Sequence, residues 1–216
     1  MEPESLTTSP RTDDPTRSAE SLVVFDDPSV GSRVVYVPHY LAATDADRLL
    51  SWMMAHTPWQ AEAPRIFGKA HEVRRRTCSY GSPGLVYRYS GLDRVALPWP
   101  DEMQSHLDRL RLAFAANFNF ALCNLYVDGD AYIGRHSDDE RDIVRDSPIV
   151  GLSLGSSREF VLYQKGGGPV AKVLLEHGSI VAMLGATQRQ LQHAVPKRKR
   201  VREPRINVTF RVLRDR

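Results

Sequence analysis

Apolar residues follow a helical spacing in two segments of the first half of the chain. Between about residues 100 and 117, large apolar side chains recur every three or four positions, which predicts an amphipathic helix. Its inner face would consist of Met103, Leu107, Leu110, Phe114 and Phe118. The same spacing predicts a shorter helix over about residues 45–56, with Thr44 as its N-terminal cap.

After the second helix, short β-like runs separated by Gly, Pro and charged clusters replace this pattern. Seven such strands are predicted, at about residues 120–126, 148–154, 159–164, 170–175, 179–184, 191–195 and 205–213. An earlier run, Val34–Val37, predicts one more strand, stopped by Pro38. Helices followed by many short strands indicate an α+β fold, in which the helices back a curled pair of antiparallel sheets.

Length and composition narrow the class of protein. With 216 residues, 42% hydrophobic and 25% charged, the chain fits one soluble globular domain, or two at most. It lacks an apolar run of the roughly 20 residues that a membrane-spanning helix needs, and its N-terminus is not a signal peptide. We therefore expect an intracellular protein without membrane contact, with Cys78 and Cys123 as reduced thiols.

The net charge of +3 hides an uneven distribution. Residues 1–20 carry five acids and two bases and have the composition of a disordered acidic tail, so the folded part, residues 21–216, holds the positive excess. Much of this excess lies in two runs, Arg74–Arg76 and Lys197–Arg200. Such clusters make a polyanionic partner worth considering, although solvated charge runs would look the same.

A candidate metal site begins at His136-Ser137-Asp138. In an extended segment, side chains two positions apart point to the same side, so His136 and Asp138 can meet at one ion. His193, 57 residues downstream in another β-like run, would be the third ligand. Two imidazoles and one carboxylate form the facial triad of non-heme Fe(II) oxygenases. The alternative is a hydrogen-bonded turn with an unrelated histidine.

A candidate anion site lies in the last predicted strand. Residues 205–211 alternate between polar and apolar, and the polar face consists of Arg205, Asn207, Thr209 and Arg211. Two arginines with amide and hydroxyl support suit a dicarboxylate, because a guanidinium can hold a carboxylate through two parallel hydrogen bonds. The alternative is the solvent-exposed face of an edge strand.

These residues belong to a set of spaced motifs that covers the chain from about residue 25 to residue 214. The motifs are Asn124-Leu125-Tyr126, Asp128-Gly129, Ile133-Gly134-x-His136-x-Asp138-Asp139-Glu140, Ser147-Pro148-Ile149 and Pro204-Arg205-x-Asn207-x-Thr209-Phe210-Arg211. In this order they resemble the AlkB family of Fe(II)- and 2-oxoglutarate-dependent dioxygenases, and most closely its eukaryotic DNA-repair dealkylases.

The resemblance implies a double-stranded β-helix, or jelly roll, with the N-terminal helices on one sheet and a nucleotide-recognition lid over about residues 60–95. It implies Fe(II), 2-oxoglutarate and O₂ as cofactors and co-substrates. It places iron at His136, Asp138 and His193, and 2-oxoglutarate at Asn124, Tyr126, Arg205, Asn207, Thr209 and Arg211. In this carry-over, Arg205 closes the pocket and Arg211 binds the distal carboxylate.

The resemblance also implies substrate contacts. Phe67, with Gly68 and Lys69, would form a loop that wedges an apolar side chain into the base stack, which favours duplex DNA. In the lid segment Tyr87-Arg88-Tyr89, Tyr87 would stack on the flipped base opposite His136. Asp139 would lie near the damaged base. Phosphates could be bound by Arg74, Arg75, Arg76, Lys197, Arg198, Lys199 and Arg200.

The implied activity is oxidative demethylation of 1-methyladenine or 3-methylcytosine in DNA by a monomeric repair enzyme, located in the nucleus if Lys197–Arg200 is a localisation signal. Two alternatives stay open: the same chemistry on RNA or single-stranded DNA, and an inactive nucleic-acid-binding module. Two segments depart from the family pattern. Residues 189–193 lack the aromatic pair before the distal histidine, and the loop at residues 165–170 is short.

Overall fold

The computed structural model describes residues 20–62, 65–66, 69–70, 73–89 and 92–214. Within them, sixteen strands and three helices follow one another. The order is β1 (Leu22–Asp27), β2 (Ser32–Val37), α1 (Ala43–His56), β3 (Gln60–Glu62), β4 (Arg65–Ile66), β5 (Lys69–Ala70), β6 (Val73–Gly81), β7 (Val86–Tyr89), β8 (Leu92–Val95), α2 (Asp101–Phe114), β9 (Phe120–Tyr126), β10 (Ile133–His136), β11 (Ile149–Gly155), β12 (Arg158–Gln164), β13 (Pro169–Leu175), β14 (Ile180–Gly185), α3 (Thr187–Gln190), β15 (Leu191–Val195) and β16 (Arg205–Arg211).

Two antiparallel sheets form the core of the fold, as the sequence predicts. The major sheet has the strand order β1-β2-β14-β11-β16-β9-β6-β3, and the minor sheet has the order β10-β15-β12-β13. Two further hairpins, β4–β5 and β7–β8, fall in the segment predicted to be the lid. Apolar side chains from both sheets, among them Leu122, Phe160 and Val181, pack together in the space between them. This sandwich is consistent with the predicted jelly roll.

The two long helices cover the outer face of the major sheet, also as predicted. Met53 of α1 and Leu107 of α2 belong to the same buried cluster as Val208 of β16. Helix α1 begins at Ala43 without a side-chain cap, so Thr44, the predicted cap, lies inside its first turn. Helix α2 ends at Phe114, before the predicted residue 117, because Ala115 adopts a left-handed conformation with φ of 46°.

Strands β9 and β16 are therefore covered on both faces. Every residue of β9 is buried, and β16 lies between β11 and β9 in the middle of the major sheet. This central position excludes the alternative in which the polar face of β16 belongs to a solvent-exposed edge strand.

Several strands were not predicted, and β6 is the longest of them. Its arginine run, Arg74–Arg76, conceals the alternation of inward and outward side chains. Cys78 in β6 lies opposite Cys123 in β9, and both side chains are buried. Among the described residues, no helix has the length and apolarity required to cross a bilayer. Nearly all of the predicted tail, residues 1–20, lies outside the described residues.

Candidate metal centre and anion cavity

The three predicted metal ligands converge between strands of the minor sheet. His136 ends β10 and is the register partner of His193 in β15, and Asp138 follows two positions later. One donor atom from each residue lies within 4.8 Å of the other two. The prediction that these residues meet is confirmed, and the alternative of a turn with an unrelated histidine is excluded.

Neighbouring groups orient these ligands. His136 Nδ1 lies 2.9 Å from the carbonyl oxygen of Gly134, which fits a donated hydrogen bond and leaves the Nε2 lone pair for a metal. Ser137 Oγ donates to the Leu191 carbonyl at 2.8 Å and ties the segment to β15. The Asp138 amide donates to Gln188 Oε1 of α3 at 2.9 Å, which fixes the backbone at the carboxylate ligand.

Electrostatics keep the ligands in the protonation states that a metal requires. Burial alone would raise the pKa of Asp138, but Arg211, His193 and His136 outweigh it and hold that pKa well below its usual value. Burial, together with His136, lowers the pKa of His193 to about 3. At neutral pH the cluster therefore offers one carboxylate and a neutral distal imidazole.

One buried atom shows that this donor set fits a cation. Asp138 Oδ2 accepts a hydrogen bond from Arg211 Nη2 at 2.7 Å, whereas Asp138 Oδ1 has no hydrogen-bond partner in the described part of the chain. His136 Nε2 lies 3.6 Å from this oxygen. A buried carboxylate oxygen without a partner is costly, and a metal between Asp138 and the imidazoles would satisfy it.

A cavity between the two sheets extends from this centre along β16. Its lining includes the three ligands, apolar side chains of the minor sheet, and six polar residues predicted to bind 2-oxoglutarate, namely Asn124, Tyr126, Arg205, Asn207, Thr209 and Arg211. Gly151 of β11 keeps the space open, because a Cβ there would lie 3.3 Å from both Asn207 Oδ1 and Val181 Cγ1. The apolar residues of β16 face the helices instead.

Two buried guanidinium groups in this cavity lack part of their hydrogen bonding. Arg205 donates through Nη2 to Ser153 Oγ at 3.0 Å and Asn207 Oδ1 at 3.2 Å. The Nε and Nη1 groups of both Arg205 and Arg211 find no acceptor among the described residues, although these side chains are 1% and 3% exposed as residues. Buried unpaired donors on two cations indicate an anionic ligand with two acceptor groups.

The geometry of the two arginines favours a different division of roles from the predicted one. Arg211 was expected to bind the carboxylate of 2-oxoglutarate farthest from the iron. The structure instead pairs Arg211 with Asp138, a candidate metal ligand, so Arg211 lies at the end of the cavity where the triad converges. Arg205 lies six residues away, about 20 Å along an extended strand, and is the arginine at the remote end.

Tyr87 also differs from its predicted role. Its ring is completely buried, with the centroid 5.0 Å from that of Phe120 and 5.2 Å from the Arg211 guanidinium carbon. In this structure no face of the ring is available to stack on a flipped base. The Tyr87 hydroxyl interacts with Glu140, a contact that helps to lower the pKa of Glu140 against the larger raising effect of burial.

The structure describes the other predicted substrate contacts only in part. Phe67 and Gly68 lie outside the described residues. The backbones of Lys69, Arg88 and Tyr89 belong to the hairpin strands β5 and β7. Asp139 is exposed beside Asp138, and its Oδ2 lies 3.0 Å from Lys165 Nζ.

The basic runs divide into buried and exposed members. Arg75 is 5% exposed, so its predicted role as a surface phosphate contact does not fit, because alternation along β6 turns it inward. Arg74 lies 3.3 Å from Asp128 and 3.4 Å from Asp130, while Arg76 is exposed.

The members of the second run, Lys197–Arg200, also differ in their contacts. Lys197 Nζ lies over the ring of Tyr132 at 4.8 Å, and Arg198 is ion-paired with Glu159. The Arg198 amide donates to the Gly129 carbonyl at 2.7 Å, and only glycine fits there, since a Cβ would clash with the Arg198 carbonyl. Lys199 and Arg200 are exposed.

Arg158 was missed by sequence reasoning. It is 1% exposed and donates to three backbone carbonyls, those of Asp128 at 3.2 Å, Ala131 at 2.9 Å and Pro196 at 2.7 Å. These carbonyls belong to the turn that leads into β10 and to the residue that follows β15. Arg158 therefore fastens the two ligand-bearing strands together, and only its position in an alternating β12 strand could have suggested that it points inward.

Comparison with known proteins agrees with this geometry. Residues 33–211 match the family model described as the 2OG-Fe(II) oxygenase superfamily. The chain is 41% identical to the DNA oxidative demethylase ALKBH2 of Bos taurus over 155 residues, which cover 68% of this chain and 56% of that protein. It is 31% identical to DNA oxidative demethylase ALKBH2 of Arabidopsis thaliana over 210 residues, covering 85% and 67%.

Two further relatives extend the comparison. The human alpha-ketoglutarate-dependent dioxygenase alkB homolog 3 is 33% identical over 196 residues, with 86% of this chain and 68% of that protein covered. The solved structure of OsALKBH1 superimposes with a TM-score of 0.55 at 17% identity, covering 83% of this chain and 97% of that one, and so supports the fold. The match spans between 56% and 65% of the mammalian ALKBH2 proteins of cattle and mouse. With its facial triad and paired arginines in one cavity, the chain belongs to the AlkB family of the 2OG-Fe(II) oxygenase superfamily.

Proposed function

We propose that this chain is an Fe(II)- and 2-oxoglutarate-dependent demethylase that acts on N-alkylated bases in DNA, such as 1-methyladenine and 3-methylcytosine. The observation that carries the proposal is one cavity that Asp138, Arg205 and Arg211 share. Among the described residues, an oxygen of Asp138 and donors of both arginines have no hydrogen-bond partner there, and a cation and a dicarboxylate would supply these partners. The names of the relatives in cattle and Arabidopsis thaliana support DNA as the target.

Each group of the cavity then has a defined part. When bound, iron and 2-oxoglutarate supply, with O₂, the oxidising chemistry that hydroxylates an N-methyl carbon, after which formaldehyde leaves. His136, Asp138 and His193 would hold the metal, since their donor atoms lie within 4.8 Å of one another. Arg205, steadied by Ser153, binds the remote carboxylate of 2-oxoglutarate, and Arg211 holds Asp138 in place at the metal end.

Removal of one ligand tests the proposal. His136→Ala should abolish both succinate formation driven by methylated DNA and the loss of one methylene mass from the oligonucleotide. His56→Ala, which removes an exposed histidine at the end of α1, is the matched control and should retain both. Iron-dependent demethylation at the wild-type rate in His136→Ala would contradict the assignment of the triad.

The proposed form of the substrate is duplex DNA, on the strength of the wedge motif at Phe67. Phe67→Ala should lose more activity on duplex than on single-stranded DNA of the same sequence, because flipping a base from a duplex leaves a gap in the stack. Equal losses on both substrates would favour single-stranded DNA or RNA instead. Demethylation assays on three matched oligonucleotides, duplex DNA, single-stranded DNA and RNA, measure this directly.

Phosphate contacts and location complete the proposal. Within the described residues, Lys199 and Arg200 are the exposed members of their run that have neither an ion pair nor a ring contact, and they are proposed to contact phosphates. A monomeric state and a nuclear location signalled by Lys197–Arg200 remain predictions from sequence.

A further inference from the structure

A lysine on the turn between β12 and β13 contacts the carboxylate next to the metal centre. Lys165 Nζ lies 3.0 Å from Asp139 Oδ2, and both side chains are partly exposed. Asp139 directly follows the ligand Asp138 and also lines a second cavity that Asp138 shares. The pair therefore lies beside the candidate metal ligand Asp138, and its carboxylate belongs to the wall of a cavity that adjoins this residue.

The turn is fastened to the strand that carries His136. Arg135 Nη2 donates to the Gly167 carbonyl at 2.6 Å, and the Arg135 guanidinium lies 4.0 Å from the ring centroid of Tyr163. The amide of Lys165 donates to the Gln190 carbonyl at 3.1 Å. These contacts hold the backbone of Lys165 near β10, so its ammonium group is kept within reach of Asp139.

The three acids of this segment have different partners. Asp138 is paired with Arg211, and Glu140 is partly buried against Tyr87. Asp139 is exposed, and within the described residues its ion pair is with Lys165. The charge that Asp139 would present to a base bound beside it therefore depends on its contact with Lys165.

We propose that Lys165 determines substrate specificity by neutralising Asp139, which reduces the preference of the site for positively charged N-alkylated bases over neutral ones. The inference rests on the proposed function, because it requires a base to enter beside Asp139. A cationic ring such as that of 1-methyladenine gains from a nearby carboxylate, whereas the neutral ring of 3-methylthymine gains little. When Lys165 occupies the carboxylate, part of this difference disappears.

Binding measurements test the inference without relying on turnover. Dissociation constants are measured anaerobically, with Mn²⁺ and 2-oxoglutarate present, for short single-stranded DNA of one sequence carrying either 1-methyladenine or 3-methylthymine. Lys165→Met should raise the preference for the cationic base by about three-fold, the size expected of an exposed ion pair. General attraction to phosphates cancels in this ratio, because both oligonucleotides carry the same backbone.

A matched control and a double variant locate the effect. Lys172→Met removes a lysine from β13 that lies 3.8 Å from Glu159, and it should leave the ratio unchanged. Asp139→Asn should lower the ratio, and adding Lys165→Met to it should change nothing further. A similar rise in the ratio with Asp139→Asn present would overturn the inference, since Lys165 would then act independently of Asp139.

The failures of the inference and of the proposed function are distinguishable. A wild-type protein that demethylates 1-methyladenine, combined with an unchanged ratio in Lys165→Met, would overturn the role of Lys165 alone. A wild-type protein that demethylates none of the methylated oligonucleotides would overturn the proposed function itself.

Discussion

The arginines inside the sandwich and the basic residues on its surface carry the same charge but are held in different ways. Arg158, Arg205 and Arg211 are at most 3% exposed, whereas Lys199 and Arg200 lie in solvent. A buried cation needs a fixed partner, so the donors of Arg205 and Arg211 that lack an acceptor among the described residues, both beside one cavity, indicate a ligand. A surface cation is satisfied by water, and its sequence position alone reveals little about what it binds.

Substitution of Arg211 should have the largest effect on activity. Arg211→Met leaves the carboxylate of Asp138 buried without its ion pair, a change that costs about 3–5 kcal/mol when one partner of a buried pair is removed. We expect kcat/KM to fall by about 10³-fold, with weaker metal binding measured by Mn²⁺ titration. Normal metal affinity in Arg211→Met would show that Asp138 does not depend on this pair.

Substitution of Arg205 should mainly affect the co-substrate. A hydrogen-bonded contact to a charged group contributes about 1.5–3 kcal/mol, so Arg205→Met should raise the KM for 2-oxoglutarate by about 10- to 100-fold. Metal affinity should stay near the wild-type value, because Arg205 lies at the far end of β16 from Asp138. The opposite pattern, with metal binding lost and KM unchanged, would restore the sequence-based assignment of the two arginines.

Substitution of Arg158 tests a buried arginine whose partners all belong to the chain. Arg158→Met leaves three carbonyl groups beside β10 and β15 without their hydrogen-bond donor. It should therefore lower the free energy of unfolding by roughly 3 kcal/mol. Because β10 and β15 would no longer be joined through Arg158, the rise in Tm on adding Mn²⁺ should also become smaller. If Mn²⁺ raises the Tm of the variant as much as that of the wild type, although the variant has a lower Tm, Arg158 stabilises the fold without affecting the metal site.

Substitution of the surface cations should have the smallest effect. Lys199→Met combined with Arg200→Met should weaken duplex DNA binding a few-fold and reduce the slope of log affinity against log salt by about 2. Activity on saturating substrate should not change, since neither residue reaches the cavity. An unaltered salt slope in fluorescence-anisotropy titrations would remove both residues from the proposed phosphate contacts.

The same contrast explains how much could be predicted from sequence. The face of β16 was predicted correctly because its strict alternation needs no knowledge of the neighbouring strands. The triad was predicted correctly because the motifs around it resemble those of one family, since its own spacing is weak evidence. Arg75 was misplaced because consecutive arginines suggest a solvated run, although β6 turns the middle one inward.

Other features depend on contacts that sequence does not display. The end of β16 that meets the metal is set by the pairing of β10 with β15 across the sandwich, so the tasks of Arg205 and Arg211 could not be separated beforehand. Similarly, the burial of Tyr87 follows from its packing on Phe120, 33 positions away along the chain. The Lys165–Asp139 pair joins two turns 26 positions apart.

Anaerobic titration with Fe(II) and 2-oxoglutarate tests most directly the claim that one cavity holds both. The chelate of 2-oxoglutarate on an open iron absorbs visible light only when both are bound at one site. The wild type should show this band only with both components present, His193→Ala should not show it, and Arg205→Met should require more 2-oxoglutarate to reach it. A wild-type protein that binds each component separately without the band would contradict the account.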